Sequence, residues 1–573
     1  MALYAATLAA IVIVLLAVSL TRLGKVRTRA DYLVAGRSLP AFVLVFTLLC
    51  SWIGSGSLLA AAENGYRHGF AALWTAAGGW AGLALIYFIA PRARRFAQFT
   101  IPDLLEARYN QAARILGVIA ILFTYTAITS YQFIGGGDIL HLVFPSALSP
   151  IQGRILIAAF VILFTAIAGM SSVAYMDVAI GLLATVTLCV ALPVLVHSCT
   201  FAGFTGWAAV HAALPASHFK VFGDIHPFTS YVNSTPLPDG THEVVSSAFA
   251  LFLPTMLLML GNQSMYQKFF SAKSERDATR AVGGWIVGTV LLETVIVALA
   301  VAGSAVYPTG EVANQPREVL AYAGLHQLQP LPATTNNTVI LSEPRSGESK
   351  DPDAAHSAAV DRTVLPPNQP SSRAEAQSAG VEGPPHLFVQ QQTTQRTDPT
   401  YLLQFLGALL VGSIFAKIIS TANNYLFSPA TNMVNDIFVR YLRPGASNRQ
   451  VLLVSRLMVV ALGIWALYQG LHTESVLKKA LYAYTIYSAA LTPVILAAFY
   501  WKRATASAAV ACIFTGTFVT AFWDTPFIHA HFPPAIANQD AILPALLASL
   551  ACLILVSFVT NPPSESHLAS LTH

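Results

Sequence analysis

Apolar residues in this chain come in long runs separated by short polar stretches, without the strict alternation of half-buried strands. The runs fall at about 3–21, 40–63, 70–91, 113–143, 151–169, 174–197, 247–266, 281–306, 401–429, 451–470, 478–500, 505–523 and 541–560. Most are near the 20 residues that a helix needs to cross a bilayer. The pattern predicts an all-α polytopic membrane protein with about thirteen transmembrane helices. No charge precedes the first run, and Arg22, Lys25, Arg27 and Arg29 follow it. That order is the reverse of a signal peptide and predicts a retained helix with its N-terminus outside. About 20 of the 32 Lys and Arg then fall on the cytoplasmic side, and the odd number of spans leaves the C-terminus inside.

Composition supports the same class. Hydrophobic residues make up 55% of the 573 and charged residues only 10%, too few to cover a soluble fold of this size. The formal charge of +5 is spread through short loops, which argues against nucleic acid as a partner and leaves membrane lipid. Cys50, Cys189, Cys199, Cys512 and Cys552 lack metal-type spacing and read as small membrane hydrophobes. No metalloprotease, nucleophile-elbow or phosphate-loop motif occurs, so no enzyme is expected. Residues 198–246 read as an external loop. Residues 329–399 are rich in Pro, Ser, Thr, Gln and Ala and read as a disordered external insertion. Asn233-Ser234-Thr235 and Asn336-Asn337-Thr338 match the glycosylation pattern.

Two spans are interrupted. The second contains Ser51-Trp52-Ile53-Gly54-Ser55-Gly56-Ser57, and the seventh contains Pro254 and then Gly261-Asn262-Gln263. Non-helical backbone at membrane depth is tolerated where it lines a cavity. The two lie five spans apart and run in opposite directions, the layout of an inverted repeat with a site between its halves. The alternative is that these small residues only allow close helix packing.

Several stretches carry a family resemblance. Asp31-Tyr32-Leu33-Val34-Ala35-Gly36-Arg37-Ser38-Leu39-Pro40 resembles the entry to the first core helix of sodium:solute symporters. Thr100-Ile101-Pro102-Asp103-Leu104-Leu105-Glu106-Ala107-Arg108-Tyr109 is similar to their loop after the second. Gln267-Lys268-Phe269-Phe270-Ser271, Ile418-Ile419-Ser420-Thr421 and Trp501-Lys502-Arg503-Ala504-Thr505 match further stretches in order. The resemblance implies a leucine-transporter-type five-plus-five inverted repeat. It places a first helix and cytoplasmic loop at 1–39, one repeat at 40–197 and the other at 247–500. Two C-terminal helices and a short tail occupy 501–573. It also implies a cell-membrane transporter that couples Na+ to uptake of a small organic solute.

The resemblance also implies a sodium site formed by the Ser420 and Thr421 hydroxyls with the backbone carbonyls of Cys50, Ile53 and Lys417. Trp52, Ser55, Gly56, Tyr131, Gln132, Asn262, Gln263, Asn423 and Tyr484 lie on helices that line the family's solute pocket. Asp177 matches an acid associated with ion release, although Met176 and Ile180 replace the neighbours usual there. Glu293 is a lone mid-span carboxylate, functional or structural. Lys417 stands where a small residue is usual; its ammonium replaces the ion, pairs with Glu293 or another acid, or snorkels. Two other functions stay open, a proton-coupled transporter of the same fold and a solute sensor or channel-like protein. No residue selects among the sugars, amino acids, choline, vitamins and carboxylates that the family carries.

Protease added to right-side-out vesicles is expected to cut within 329–399. Cleavage from the cytoplasmic side alone would contradict the span assignment.

Overall fold

The computed structural model describes the chain except Met1, residues 24–27, 97–99, Ala168, 237–241, 331–400, Glu474, Asp524, 534–538 and 565–573. Apart from Gln329 and Pro330, the expected insertion at 329–399 lies outside the described residues, as does the pattern Asn336-Asn337-Thr338. Among the described residues, ten helices are long and apolar enough to cross a membrane. The shorter apolar helices Ala2–Val18, Ala41–Trp52 and Ala506–Phe522 accompany them. Phe88, Leu163, Val287 and Leu555 are exposed on outward faces, as lipid-facing side chains are. The chain is a multi-pass membrane protein. Helices dominate because each one satisfies its own backbone where no water is available.

Between Ser198 and Ser247 the polypeptide forms two short antiparallel hairpins. Thr200–Phe201 pairs with Phe204–Thr205, and Tyr231–Pro236 pairs with His242–Val245. His68 holds this segment to the helix Ala61–His68 through Asp224, at 2.9 Å.

Both expected interruptions are present. The helix Ala41–Trp52 stops at Ile53, whose φ of −83° and ψ of 99° are extended. The chain resumes as one π-helical turn, Gly56–Ala60, followed by Ala61–His68. The Ser57 and Leu58 amides both donate to Gly54 O, at 3.1 and 2.8 Å, which restarts the winding. In the second case the helix Ala248–Gly261 runs straight through Pro254, whose carbonyl accepts from Ser488 Oγ at 2.7 Å. The break comes at Asn262, with φ −60° and ψ 113°, and Gln263–Ser271 follows. Asn262 Oδ1 caps this second half by accepting from the Ser264 amide at 3.0 Å.

The two broken segments are tied together. Leu39 donates its amide to Ser271 O at 3.1 Å, and the Lys273 amide donates to Leu39 O at 2.9 Å. The long helix Tyr401–Asn432 packs against Ala41–Trp52, Gln111–Val143 and Met170–Ser198. It therefore lies directly beside the first break.

Close backbone approach sets other contacts. A Cβ at Gly78, on Leu73–Phe96, would stand 2.1 Å from Phe252 O on Ala248–Gly261, whereas one at Gly283 would meet nothing within 4 Å. Gly78→Val is expected to destabilise the purified protein by about 1–3 kcal/mol through overpacking. Gly283→Ala is expected to stay within about 0.5 kcal/mol of the native chain. Thermal unfolding in one detergent compares them, and equal midpoints would contradict the packing assignment.

Candidate functional site

The first break frees carbonyls that its own helix no longer uses, and the neighbouring helix supplies a hydroxyl to them. Thr421 Oγ1 lies 2.7 Å from Cys50 O, 3.2 Å from Ile53 O and 3.0 Å from Lys417 O. Lys417 O is the usual back-bonding partner one helical turn away. The other two come from across the break. One hydroxyl proton serves one acceptor at a time, so these carbonyls keep lone pairs directed at a common point. An all-oxygen cluster of neutral groups is the donor set that a hard, weakly charged cation prefers.

The adjacent Ser420 donates to Asp177 Oδ1. Asp177 is fully buried, and its Oδ2 accepts from Thr47 Oγ1 at 2.5 Å and from Asn424 Nδ2 at 3.3 Å. Hydroxyls and an amide thus surround this carboxylate.

Two buried lysines stand one side chain further out. Lys417 Nζ donates to Cys50 Sγ at 3.2 Å, and that thiol donates to Asp177 O at 3.3 Å. Cys50 is therefore more than an apolar filler, although all five cysteines are free. Lys268 Nζ donates to Asn424 Oδ1 and to Ser264 Oγ, both at 3.0 Å. Lys268 is missed in sequence because its apolar run ends at 266, whereas the helix Gln263–Ser271 carries burial further. The pair Lys417–Glu293 left open by the sequence does not form.

Glu293 has other partners. Its Oε1 accepts from Trp52 Nε1 at 2.9 Å and Ser57 Oγ at 3.3 Å, and its Oε2 accepts from Trp80 Nε1 at 2.8 Å. It lines a cavity of about 30 Å³ together with Trp52, Gly56, Ser57, Thr255 and Tyr484. That volume suits about two water molecules. Trp52 and Tyr484 stack across it with ring centroids 6.4 Å apart, and Tyr131 OH stands 3.3 Å from Tyr484 OH. An organic solute needs these aromatic rings to part.

The remaining candidates sit elsewhere. Gln132 Oε1 accepts from the Ser55 amide at 2.8 Å and so holds the break open. Ser55 Oγ is buried without a hydrogen-bond partner among the described residues. Asn262 Oδ1 also accepts from Tyr125 OH at 2.7 Å, and Asn262 Nδ2 donates to Tyr425 OH at 2.9 Å. Gln263 Oε1 accepts from the Ile101 amide at 2.6 Å, and Asn423 Oδ1 accepts from Thr165 Oγ1 at 2.8 Å. None of Ser55, Gln132, Asn262, Gln263 and Asn423 lines the cavity. Asn424, not Asn423, belongs to the polar face, and helical spacing could have shown it. Residues 417, 420, 421 and 424 recur every three or four positions. Trp80 gives no such signal.

A model of the sodium:solute symporter family matches residues 32–325 and 400–516. The osmoregulated proline transporter OpuE of Bacillus subtilis (strain 168) is 22% identical over 549 residues, covering 94% of this chain and 90% of that protein. A sodium/proline symporter of Staphylococcus aureus (strain bovine RF122 / ET3-1) is 21% identical over 553 residues, covering 93% and 88%. The solved structure of a Na+-coupled sialic acid symporter in a substrate-bound outward-open state superposes with a TM-score of 0.67. At 14% identity, with 98% of this chain and 99% of that one covered, it shows a shared fold.

The cluster around Asp177 sets one carboxyl group beside two lysine amines away from water, so ionisation of all three leaves a surplus of positive charge. Lys417→Met preserves volume and removes that surplus, so it is expected to stabilise the protein by about 1–4 kcal/mol. A lower unfolding temperature for the variant would show that the ammonium is compensated.

Proposed function

The chain belongs to the sodium:solute symporter family, and from that premise we propose that it is a secondary active transporter carrying a small organic solute into the cell. Na+ is the coupling ion. In this reading about thirteen helices cross the membrane in a five-plus-five inverted repeat, with the N-terminus outside and the C-terminus in the cytoplasm. Proline-like solutes are candidates, because the two bacterial relatives are named for proline.

The observation that carries the proposal is the position of Thr421 Oγ1 among three carbonyl oxygens at a helix break. In this reading Na+ binds beside Thr421 Oγ1, held by that hydroxyl, by the lone pairs that Ser420 Oγ keeps while it donates to Asp177, and by the carbonyls of Cys50, Ile53 and Lys417. Cys50 and Ile53 border the same helix break as Trp52, Gly56 and Ser57, which line the cavity. An ion that fixes the segment therefore also fixes the cavity wall. Linkage makes this reciprocal: whatever factor Na+ adds to solute affinity, solute adds to Na+ affinity. Asp177 sits behind Ser420 and supplies negative charge near the ion. A charge on Lys417 opposes the ion and one on Asp177 attracts it, so the net attraction depends on how close each group stands.

Thr421→Ala and Ser420→Ala are expected to raise the Na+ concentration for half-maximal uptake in proteoliposomes. Loss of one oxygen is worth about 1–3 kcal/mol, or roughly 5- to 150-fold. The larger effect belongs to Thr421, whose hydroxyl meets all three carbonyls. Unchanged Na+ dependence in both variants would remove the site.

A further inference from the structure

We infer that the solute carries a positively charged ammonium group, and that Glu293 Oε1 receives it. The inference rests on the transporter reading and narrows its solute class. Glu293 is about 5% exposed, in the middle of the helix Glu275–Val306. Both of its oxygens accept from an indole N–H, and an indole nitrogen only donates. All three of its donors are neutral groups, so none of them offsets the charge that a carboxylate carries there.

A carboxylate at membrane depth is costly without a cation, and one left there marks a ligand or ion path. Here none of its described hydrogen-bond partners is basic, and no Lys, Arg or His lines the cavity among the described residues. The missing positive charge can come from the solute.

The two oxygens are held differently. Trp80 holds Oε2 from outside the cavity lining, whereas Trp52 and Ser57, the donors to Oε1, are part of that lining. When the cavity opens, Trp52 and Ser57 leave Oε1, and Trp80 keeps the carboxylate aimed inward. The positive charge of an ammonium group then takes their place beside Oε1, and the faces of Trp52 and Tyr484 flank it as cation–π partners. Sugars and monocarboxylates offer no such charge.

The test uses the full chain in lipid nanodiscs with choline, proline, glucose and pyruvate as separate probes. Choline and proline are expected to bind, and glucose and pyruvate are not. Glu293→Gln is expected to weaken choline binding about 10- to 100-fold, with partial recovery in Glu293→Asp. Size-exclusion profiles check that the variants fold, and the wild-type panel decides even if they do not. Binding of glucose or pyruvate in preference, or no binding of either ammonium-bearing probe at millimolar concentration, would overturn the inference. So would a folded Glu293→Gln chain with native choline affinity. Accumulation in proteoliposomes is measured on the same panel. Ammonium-selective binding without sodium-driven accumulation would refute transport and leave this inference standing. Sodium-driven accumulation of glucose or pyruvate alone would do the opposite.

Discussion

Carbonyls freed where a helix stops inside a membrane must find partners, and in this protein that requirement joins the proposed ion site to the cavity that we assign to the solute. Cys50 O and Ile53 O cannot turn to water and meet Thr421 Oγ1 instead. The contact binds Ala41–Trp52 to Tyr401–Asn432, and Gln132 holds the same break from a third helix through the Ser55 amide. Trp52, Gly56 and Ser57 therefore take their places in the cavity wall as a consequence of how the backbone oxygens are satisfied. A hydroxyl provides one proton for this purpose, whereas a cation accepts all the oxygens at once.

Charge is handled separately in the two regions. Around Asp177, hydroxyls and Asn424 screen the carboxylate from Lys268, and Cys50 stands between its backbone and Lys417. Around Glu293 there is a carboxylate with neutral donors alone. In our account the first region sets how strongly Na+ is held, and the second sets what kind of solute is held.

The apolar runs and both breaks were legible in the sequence because hydropathy and Gly-Asn-Ser interruptions report how each segment meets lipid. The Ser420-Thr421 pair became meaningful through its resemblance, and the structure places Thr421 against the named carbonyls. What the sequence did not reveal depends on partners in distant segments. Trp80 and Glu293 are 213 positions apart, and Lys268 reaches Asn424 across 156. Asn262 and Gln263, which the resemblance puts on pocket-lining helices, cap a half-helix and accept from the amide that begins the helix Ile101–Arg108. A polar residue near a break has two possible duties, toward solute or toward freed backbone, and linear spacing does not distinguish them.

The most direct test of the central claim is hydrogen exchange of the backbone amides in Na+ and in K+ at equal ionic strength. If one ion fixes both the freed carbonyls and the cavity wall, Na+ should slow exchange across residues 53–58 and 417–424. The helix Ile542–Val559, remote in sequence from both segments, should be unaffected. Equal exchange in both salts across 53–58 and 417–424 would contradict the account.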